Sequence, residues 1–109
     1  MANVLLLLDP DSPDATTVPS VLERQRHTPK VTTGLQDALL HLMNDAPRYD
    51  VVVVDLSRNR PSDWQALDEL MRVSALVSPK PMVLGFSAVY HGPSMKLEVE
   101  RRGGRFVWI

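Results

Sequence analysis

The stretch Tyr49-Asp50-Val51-Val52-Val53-Val54-Asp55-Leu56 lies near the middle of the chain and joins an uninterrupted apolar run to an acidic residue. Its valines do not alternate with polar residues, as they would in a strand with one face in water. A continuous β-branched run is typical of a strand that is buried on both faces of a parallel sheet. Asp55 then falls at the carboxyl end of this strand, which is the end where ligands bind in open α/β sheets.

Other stretches suit strands of the same sheet. Residues 4–8, 82–86 and 106–109 are also continuous apolar runs, whereas the β-branched but polar residues 30–33 suit an edge strand. Apolar residues recur at helical spacing between these runs, which predicts helices near residues 35–42, 64–71 and 93–102. This alternation predicts an α/β fold with a parallel sheet and helices on both faces.

The segment between the first two strands allows two helix boundaries. Ser12-Pro13-Asp14 is typical of a helix N-terminus, with a serine cap and a proline at the first helical position. A helix that begins there would contain Pro19, and an interior proline costs about 3 kcal/mol. We therefore predict a short helix near residues 18–26, with Pro19 in its first turn and a longer loop before it.

Composition places the chain among globular proteins of one domain. Its 109 residues include 12 basic and 13 acidic side chains, for a net charge of −1, and no cysteine. The charge balance argues against a nucleic-acid partner, and the cluster Arg101, Arg102 and Arg105 supports only a weaker hypothesis of a DNA-associated adaptor. The lack of cysteine excludes thiolate and disulfide chemistry. Residues 4–8 form the longest apolar run, too short to span a bilayer, so we expect a cytoplasmic protein with no membrane partner.

Acidic side chains follow two of the predicted strands where each strand ends. Asp9 and Asp11 follow the first strand, and Asp55 follows the third. If these strands are neighbours, their carboxylates converge on one crevice, where they could hold Mg²⁺. A carboxylate beside the metal can attack phosphorus, and Ser87, after the fourth strand, could donate its hydroxyl to a bound oxyanion. The alternative is that these aspartates only cap turns.

Taken in order, several segments resemble the receiver domain of bacterial two-component response regulators. They are Val4-Leu5-Leu6-Leu7-Leu8-Asp9-Pro10-Asp11, Tyr49-Asp50-Val51-Val52-Val53-Val54-Asp55-Leu56, the predicted helix over 64–73, Pro81-Met82-Val83-Leu84-Gly85-Phe86-Ser87-Ala88 and Gly103-Gly104-Arg105-Phe106-Val107. The resemblance covers nearly the whole chain. It implies that residues 1–109 form a single receiver-like domain, with a flavodoxin-like open parallel sheet, strand order 2-1-3-4-5 and about four helices.

The resemblance also implies a role for individual residues. Asp55 matches the aspartate that accepts a phosphoryl group from a histidine kinase, and Ser87 matches the hydroxyl that hydrogen-bonds this group. Asp9 matches one member of the acidic pair that holds Mg²⁺, which makes Asp9, Asp11 and Asp55 the metal candidates. Phe106 matches the aromatic residue of the last strand that reports the switch.

Two positions depart from the family's pattern. Pro10 stands beside Asp9, where the family has a second acid, and Ile109 stands where it has a lysine that pairs with the phosphoryl oxygens. Arg58 could partly replace this lysine or be an ordinary surface arginine. Losing a cation that offsets phosphoryl charge weakens phosphotransfer or its readout.

These departures favour a degenerate receiver that is not an enzyme. We predict that it signals through protein–protein contacts, with weak or no phosphoryl acceptance and weak Mg²⁺ binding. The alternative is a Mg²⁺-dependent phosphoacceptor with Asp55 as the phosphorylation site.

The sequence ends directly after the last predicted strand, where the family has a further C-terminal helix. We therefore expect part of the fourth and fifth strands to be uncovered, with Met82, Leu84, Val107 and Ile109 as candidates for exposure. An apolar patch of this kind favours a homodimer or a complex with a protein partner, such as a histidine kinase or an output protein. Alternatively, the first helix and residues 10–17 shift to cover it.

Overall fold

The computed structural model describes residues 1–12, 14–44 and 48–108. Strands and helices alternate along this part of the chain, and each strand boundary lies within two residues of its predicted position. The elements are β1 (Asn3–Leu7), α1 (Asp14–Arg24), β2 (Thr28–Thr32), α2 (Leu35–Met43), β3 (Val51–Asp55), α3 (Pro61–Ser74), β4 (Met82–Ser87), α4 (Ser94–Arg101) and β5 (Arg105–Trp108). No helix in these residues has the length and apolar character needed to cross a bilayer.

The strands form one parallel sheet in the order β2-β1-β3-β4-β5, which confirms the predicted flavodoxin-like fold. Strand β2 lies at one edge, as its polar sequence predicted, and β5 lies at the other. In the centre, β1 pairs with β3 so that Leu7 is level with Val54. The carboxyl ends of these two strands therefore lie side by side, and the predicted acidic residues follow them.

The valines of β3 contribute to hydrophobic cores on both faces of the sheet. Val52 and Val54 belong to the larger core, which the sheet forms with α2, α3 and α4. Val53 belongs to a smaller core, against which side chains of α1 pack. Because both faces are covered, successive strand positions must be apolar. This is the physical reason that continuous apolar runs predicted the fold.

The first helix differs from the prediction. α1 begins at Asp14 and contains Pro19, so the predicted short helix near residues 18–26 is wrong. The backbone N–H of Ala15 already donates to the carbonyl of Ser12 at 3.0 Å, whereas Pro13 lies outside the described residues. The longer helix brings an apolar stripe of Ala15, Val18 and Leu22 onto the smaller core. Burial of this stripe offsets the hydrogen bond that the buried Pro19 cannot donate.

An apolar groove remains open beside α1 on the face of the smaller core. Its volume is about 290 Å³, and Leu84 and Val107 line it together with residues of α1, β1 and β3. Met82 and Val107 are 44% and 43% exposed, as predicted, whereas Leu84 is partly buried and packs on the smaller core. Ile109, the other predicted member of this patch, lies outside the described residues.

Candidate functional site

The carboxyl ends of β1 and β3 open into two adjoining cavities of about 390 and 320 Å³. Asp9, Asp11 and Asp55 line both cavities. Asp55 is the last residue of β3, and Asp9 lies just beyond β1, its neighbour in the sheet. The fold therefore brings the three predicted carboxylates to one crevice.

The carboxylate of Asp9 accepts a hydrogen bond on one oxygen, whereas the other lies within ion-pair distance of two arginines but has no hydrogen-bond partner among the described residues. Oδ1 accepts a hydrogen bond from the backbone N–H of Asp11 at 3.0 Å. Oδ2 forms an ion pair with Arg58, whose Nε lies 2.6 Å away, and Nη2 of Arg60 lies 3.5 Å from the same oxygen. The Asp9 side chain is only 8% exposed, whereas the Arg58 side chain is 49% exposed. Arg58 thus reaches from the protein surface onto a nearly buried acid.

The carboxylate of Asp55 is left half satisfied. Asp55 is 8% exposed, and its Oδ1 accepts a hydrogen bond from the backbone N–H of Ser57 at 2.9 Å. Its Oδ2 is buried and has no hydrogen-bond partner among the described residues. Buried polar atoms without a partner are uncommon and costly, and they concentrate where a ligand or a reaction uses them. Asp9 Oδ2 also lacks a hydrogen bond but is ion-paired with Arg58, so Asp55 Oδ2 is the better candidate for an oxygen that reacts or binds a ligand.

A further acid, Asp63, lines the larger cavity and holds Arg60. Both carboxylate oxygens of Asp63 accept hydrogen bonds from the Arg60 guanidinium, and one also accepts the Arg60 backbone N–H at 3.0 Å. The hydrogen bond to Asp63 is the main cause that raises the pKa of Arg60, and the charges of Asp63, Asp9 and Asp55 add to it. Asp63 was not among the residues predicted for this site. The Arg60-x-x-Asp63 spacing at the start of α3 was the available signal, because the third helical residue can cap the helix.

Ser87 is buried but is not placed to receive a ligand as its hydroxyl stands. Its Oγ donates to the carbonyl of Val89 at 2.5 Å and accepts the backbone N–H of Val89 at 3.1 Å. Ser57, which the sequence analysis missed, lines the smaller cavity, and its Oγ accepts the backbone N–H of Ala88 at 3.0 Å. A phosphoryl-binding role for Ser87 stays a prediction that requires its hydroxyl to rotate.

The loops after β3 and β4 are tied together at the cavity mouth. The Ser57–Ala88 hydrogen bond is one tie, and the contact of His91 Nε2 with the carbonyl of Ser57 at 2.6 Å is another. Further along, Trp108 contacts both Tyr90 and Phe106, with ring centroids 5.1 and 4.6 Å apart. Two contacts of Ser57 therefore join it to the loop that carries the exposed Tyr90.

The donor set of the crevice does not fit Mg²⁺ in the arrangement described. Among residues 1–12, 14–44 and 48–108, no three acidic or histidine side chains are grouped so that they could hold a metal ion. Asp9 Oδ1 is hydrogen-bonded and Asp9 Oδ2 is ion-paired with Arg58, so Asp55 offers the one unpaired oxygen of these two acids, whereas Mg²⁺ demands near-ideal octahedral geometry. The assignment of Asp9, Asp11 and Asp55 as metal ligands stays a prediction.

The arginine cluster near the end of α4 is paired with acids of its own surface. Arg102 lies 2.8 Å from Asp68 and 2.7 Å from Glu98, and its guanidinium lies 4.8 Å from the ring centroid of Trp64. Arg101 lies 2.6 Å from Glu98. These contacts pair two of the three arginines of the cluster with acids, so Arg101 and Arg102 add no support to the DNA-adaptor hypothesis.

No protein-family model matches this chain, and no curated protein matches it at a significant level of sequence similarity. Solved structures do match it. The Vibrio cholerae chemotaxis protein CheY4 is 20% identical with a TM-score of 0.74, and the match covers 100% of this chain and 85% of that one. A response regulator from Thermotoga maritima is 17% identical with a TM-score of 0.75, covering 99% and 85% of the two chains.

The receiver domain of the Francisella response regulator 1452 is a third match, 22% identical with a TM-score of 0.73 over 99% of this chain and 84% of that one. Identities this low establish a shared fold and leave function to be argued from the site. The chain therefore has the fold of response-regulator receiver domains.

Proposed function

We propose that this protein is a receiver-like signalling module that acts through protein–protein contacts and accepts a phosphoryl group weakly or not at all. The observation that carries the proposal is the ion pair between Arg58 and Asp9, with Nε and Oδ2 2.6 Å apart. The receiver fold and the acidic crevice at the carboxyl ends of β1 and β3 support the signalling class. A cytoplasmic location and the absence of enzymatic turnover belong to the same proposal.

The charges of the crevice argue against efficient transfer to Asp55. Asp9, Asp11, Asp55 and Asp63 line the cavities, and an incoming phosphoryl group adds further negative charge. Arg58 and Arg60 are the cations nearest to it, and each is already held by an acid. Phosphoryl transfer depends on cations that neutralise charge developing on the phosphoryl oxygens, and a bound Mg²⁺ would supply that neutralisation. In its absence the transition state is poorly compensated.

The Oδ2 of Asp55, which has no hydrogen-bond partner among the described residues, supports a second candidate function. In a working phosphoacceptor this oxygen would attack the phosphorus of an acyl phosphate or phosphohistidine. The new bond would join Oδ2 to phosphorus, and the electron pair of the broken bond would leave with the carboxylate or imidazole. Arg58 would then have to leave Asp9 and pair with the phosphoryl oxygens.

Intact mass spectrometry after incubation with acetyl phosphate and MgCl₂ distinguishes the two functions. We expect no more than a trace of the phosphoryl adduct on the wild-type protein, because the cations that would offset its charge are engaged. The Asp55→Asn variant is the control, since it lacks the nucleophilic oxygen. A substantial adduct on the wild type that is missing from Asp55→Asn would contradict the proposal and establish the phosphoacceptor. Spectra taken through a time course keep a labile adduct from being overlooked.

The proposed protein contacts use the apolar groove beside α1. Leu84, Phe86 and Val107 line it, and its walls are almost entirely apolar. Exposed apolar surface of this kind on a small domain marks an interaction site. We propose that a second copy of the chain or a partner protein, such as a histidine kinase or an output protein, covers this groove.

The Val107→Glu variant tests this contact surface. We expect the wild type to self-associate with rising concentration or to bind the apolar dye anilinonaphthalene sulfonate. The Val107→Glu variant should reduce either signal, because association or dye binding would bury its charge at the contact. Sedimentation velocity and dye fluorescence provide the measurements. Leu40→Glu, at a 64% exposed position on α2, is the control and should change neither. A wild type that stays monomeric and binds no dye would count against the surface.

A further inference from the structure

In the crevice, the arginine Arg58 is paired with Asp9, which is the acid that a divalent ion would need as a ligand. Asp9 Oδ2 has Nε of Arg58 at 2.6 Å and Nη2 of Arg60 at 3.5 Å, and Asp9 Oδ1 is used by the backbone N–H of Asp11. The nearly buried Asp9 is therefore already compensated by two guanidinium groups. A metal ion would have to displace Arg58 before it could reach Oδ2.

The residues that follow Arg58 form a turn with several hydrogen bonds of its own. Asn59 adopts a left-handed conformation with φ of 51°, which asparagine tolerates better than most residues, and its N–H donates to the carbonyl of Leu56 at 2.9 Å. The Asn59 side chain accepts the indole N–H of Trp64 at 2.7 Å, which ties this turn to α3. Arg60, the N-cap of α3, is held by Asp63. Hydrogen bonds thus fix the turn between Arg58 and α3, and Arg58 itself is paired with Asp9.

We propose that the Arg58 guanidinium takes the place of a divalent cation at Asp9, so that this crevice is charge-compensated from within the chain and excludes Mg²⁺. A positive charge within ion-pair distance of the acid repels an incoming divalent ion. This pairing deepens the proposed function and rests on it. A receiver-like module of this kind would hold one state at any Mg²⁺ concentration. The competition between Arg58 and a divalent ion for Asp9 is measurable independently.

Mn²⁺ titration followed by electron paramagnetic resonance tests the competition, because the free ion gives the signal and Mn²⁺ prefers the same oxygen ligands as Mg²⁺. We expect Arg58→Gln to bind Mn²⁺ about tenfold tighter than the wild type, since it removes a unit charge at close range. Arg58→Lys, which keeps the charge, should not gain binding. Arg72→Gln is the matched control, because it also removes an arginine from an ion pair, with Glu69 at 2.7 Å, far from the crevice.

Adding Asp9→Asn to Arg58→Gln should abolish the gain, because the proposal makes Asp9 the ligand that Arg58 protects. Arg58→Ala repeats the test if circular dichroism shows that Arg58→Gln is not folded. A wild type that binds Mn²⁺ as tightly as Arg58→Gln, or a gain that survives Asp9→Asn, would overturn the inference. Either result stands apart from the proposed function, which is judged by the phosphoryl adduct on the wild-type protein.

Discussion

The Leu67→Ala variant is expected to lose about 2–5 kcal/mol of the free energy of unfolding, the largest effect we predict. Leu67 lies in α3, is fully buried, and belongs to the core between the sheet and α2, α3 and α4. Truncation removes buried methyl groups and leaves a cavity that the packed neighbours cannot fill. Domains of this size are stable by about 5–15 kcal/mol, so the loss is a large fraction of the total.

Urea unfolding followed by circular dichroism measures this loss. Leu76→Ala is the matched control, because Leu76 is 77% exposed beyond the end of α3. The control should change the free energy of unfolding by no more than about 0.5 kcal/mol. Similar midpoints for the two variants would mean that α3 does not pack against the sheet as described.

The Asp55→Asn variant is expected to be more stable than the wild type, by about 1–2 kcal/mol in buffer without divalent ions. The wild-type Asp55 is nearly buried, at 8% exposure, and one of its carboxylate oxygens has no hydrogen-bond partner among the described residues. It also lies in a crevice with Asp9, Asp11 and Asp63. In the variant, the amide oxygen of residue 55 still accepts the Ser57 backbone N–H, and the side chain carries no charge. The substitution therefore removes the cost of burying the charge and the repulsion from the neighbouring aspartates.

Thermal and urea unfolding at neutral pH check this prediction, with Asp11→Asn as the control. Asp11 lines the same cavities but is exposed, so its substitution relieves repulsion without relieving a buried carboxylate. Equal stabilisation by the two variants would assign the effect to general charge repulsion. A destabilised Asp55→Asn would show that the carboxylate has a partner in solution. Stabilisation on losing a candidate nucleophile is the trade-off expected where a site is kept for function.

The sheet was predictable because its signal is local and strong. Each strand is a continuous apolar run, and only a sheet covered on both faces gives every position of such a run a buried environment. The boundary of α1 was not predictable in the same way. The helical cost of Pro19 is visible in the sequence, whereas the packing of Ala15, Val18 and Leu22 against the smaller core, which favours the longer helix, is a tertiary feature.

Some features of the candidate site could also be predicted from the sequence, and others could not. Asp9, Asp11 and Asp55 were expected together because parallel strands carry the residues that follow them to one edge of the sheet. The partners of these acids were not foreseen. Arg58 remained undecided between a substitute cation and a surface residue, and in the structure it contacts Asp9 rather than Asp55. Ser57, which was not predicted, lines the smaller cavity, and the role of Ser87 stays a prediction.

The parallel sheet, its two buried faces and the acidic edge could be predicted from the order of the residues, because hydrophobic patterning and strand direction are local properties of the chain. The groups that compensate the acids, and the apolar surface that stays open, became known only from the folded structure. Those outcomes depend on contacts between loops that are distant along the chain, and each contact is worth only a small free energy. The pairing of Arg58 with Asp9 and the groove lined by Leu84 and Val107 are of this kind.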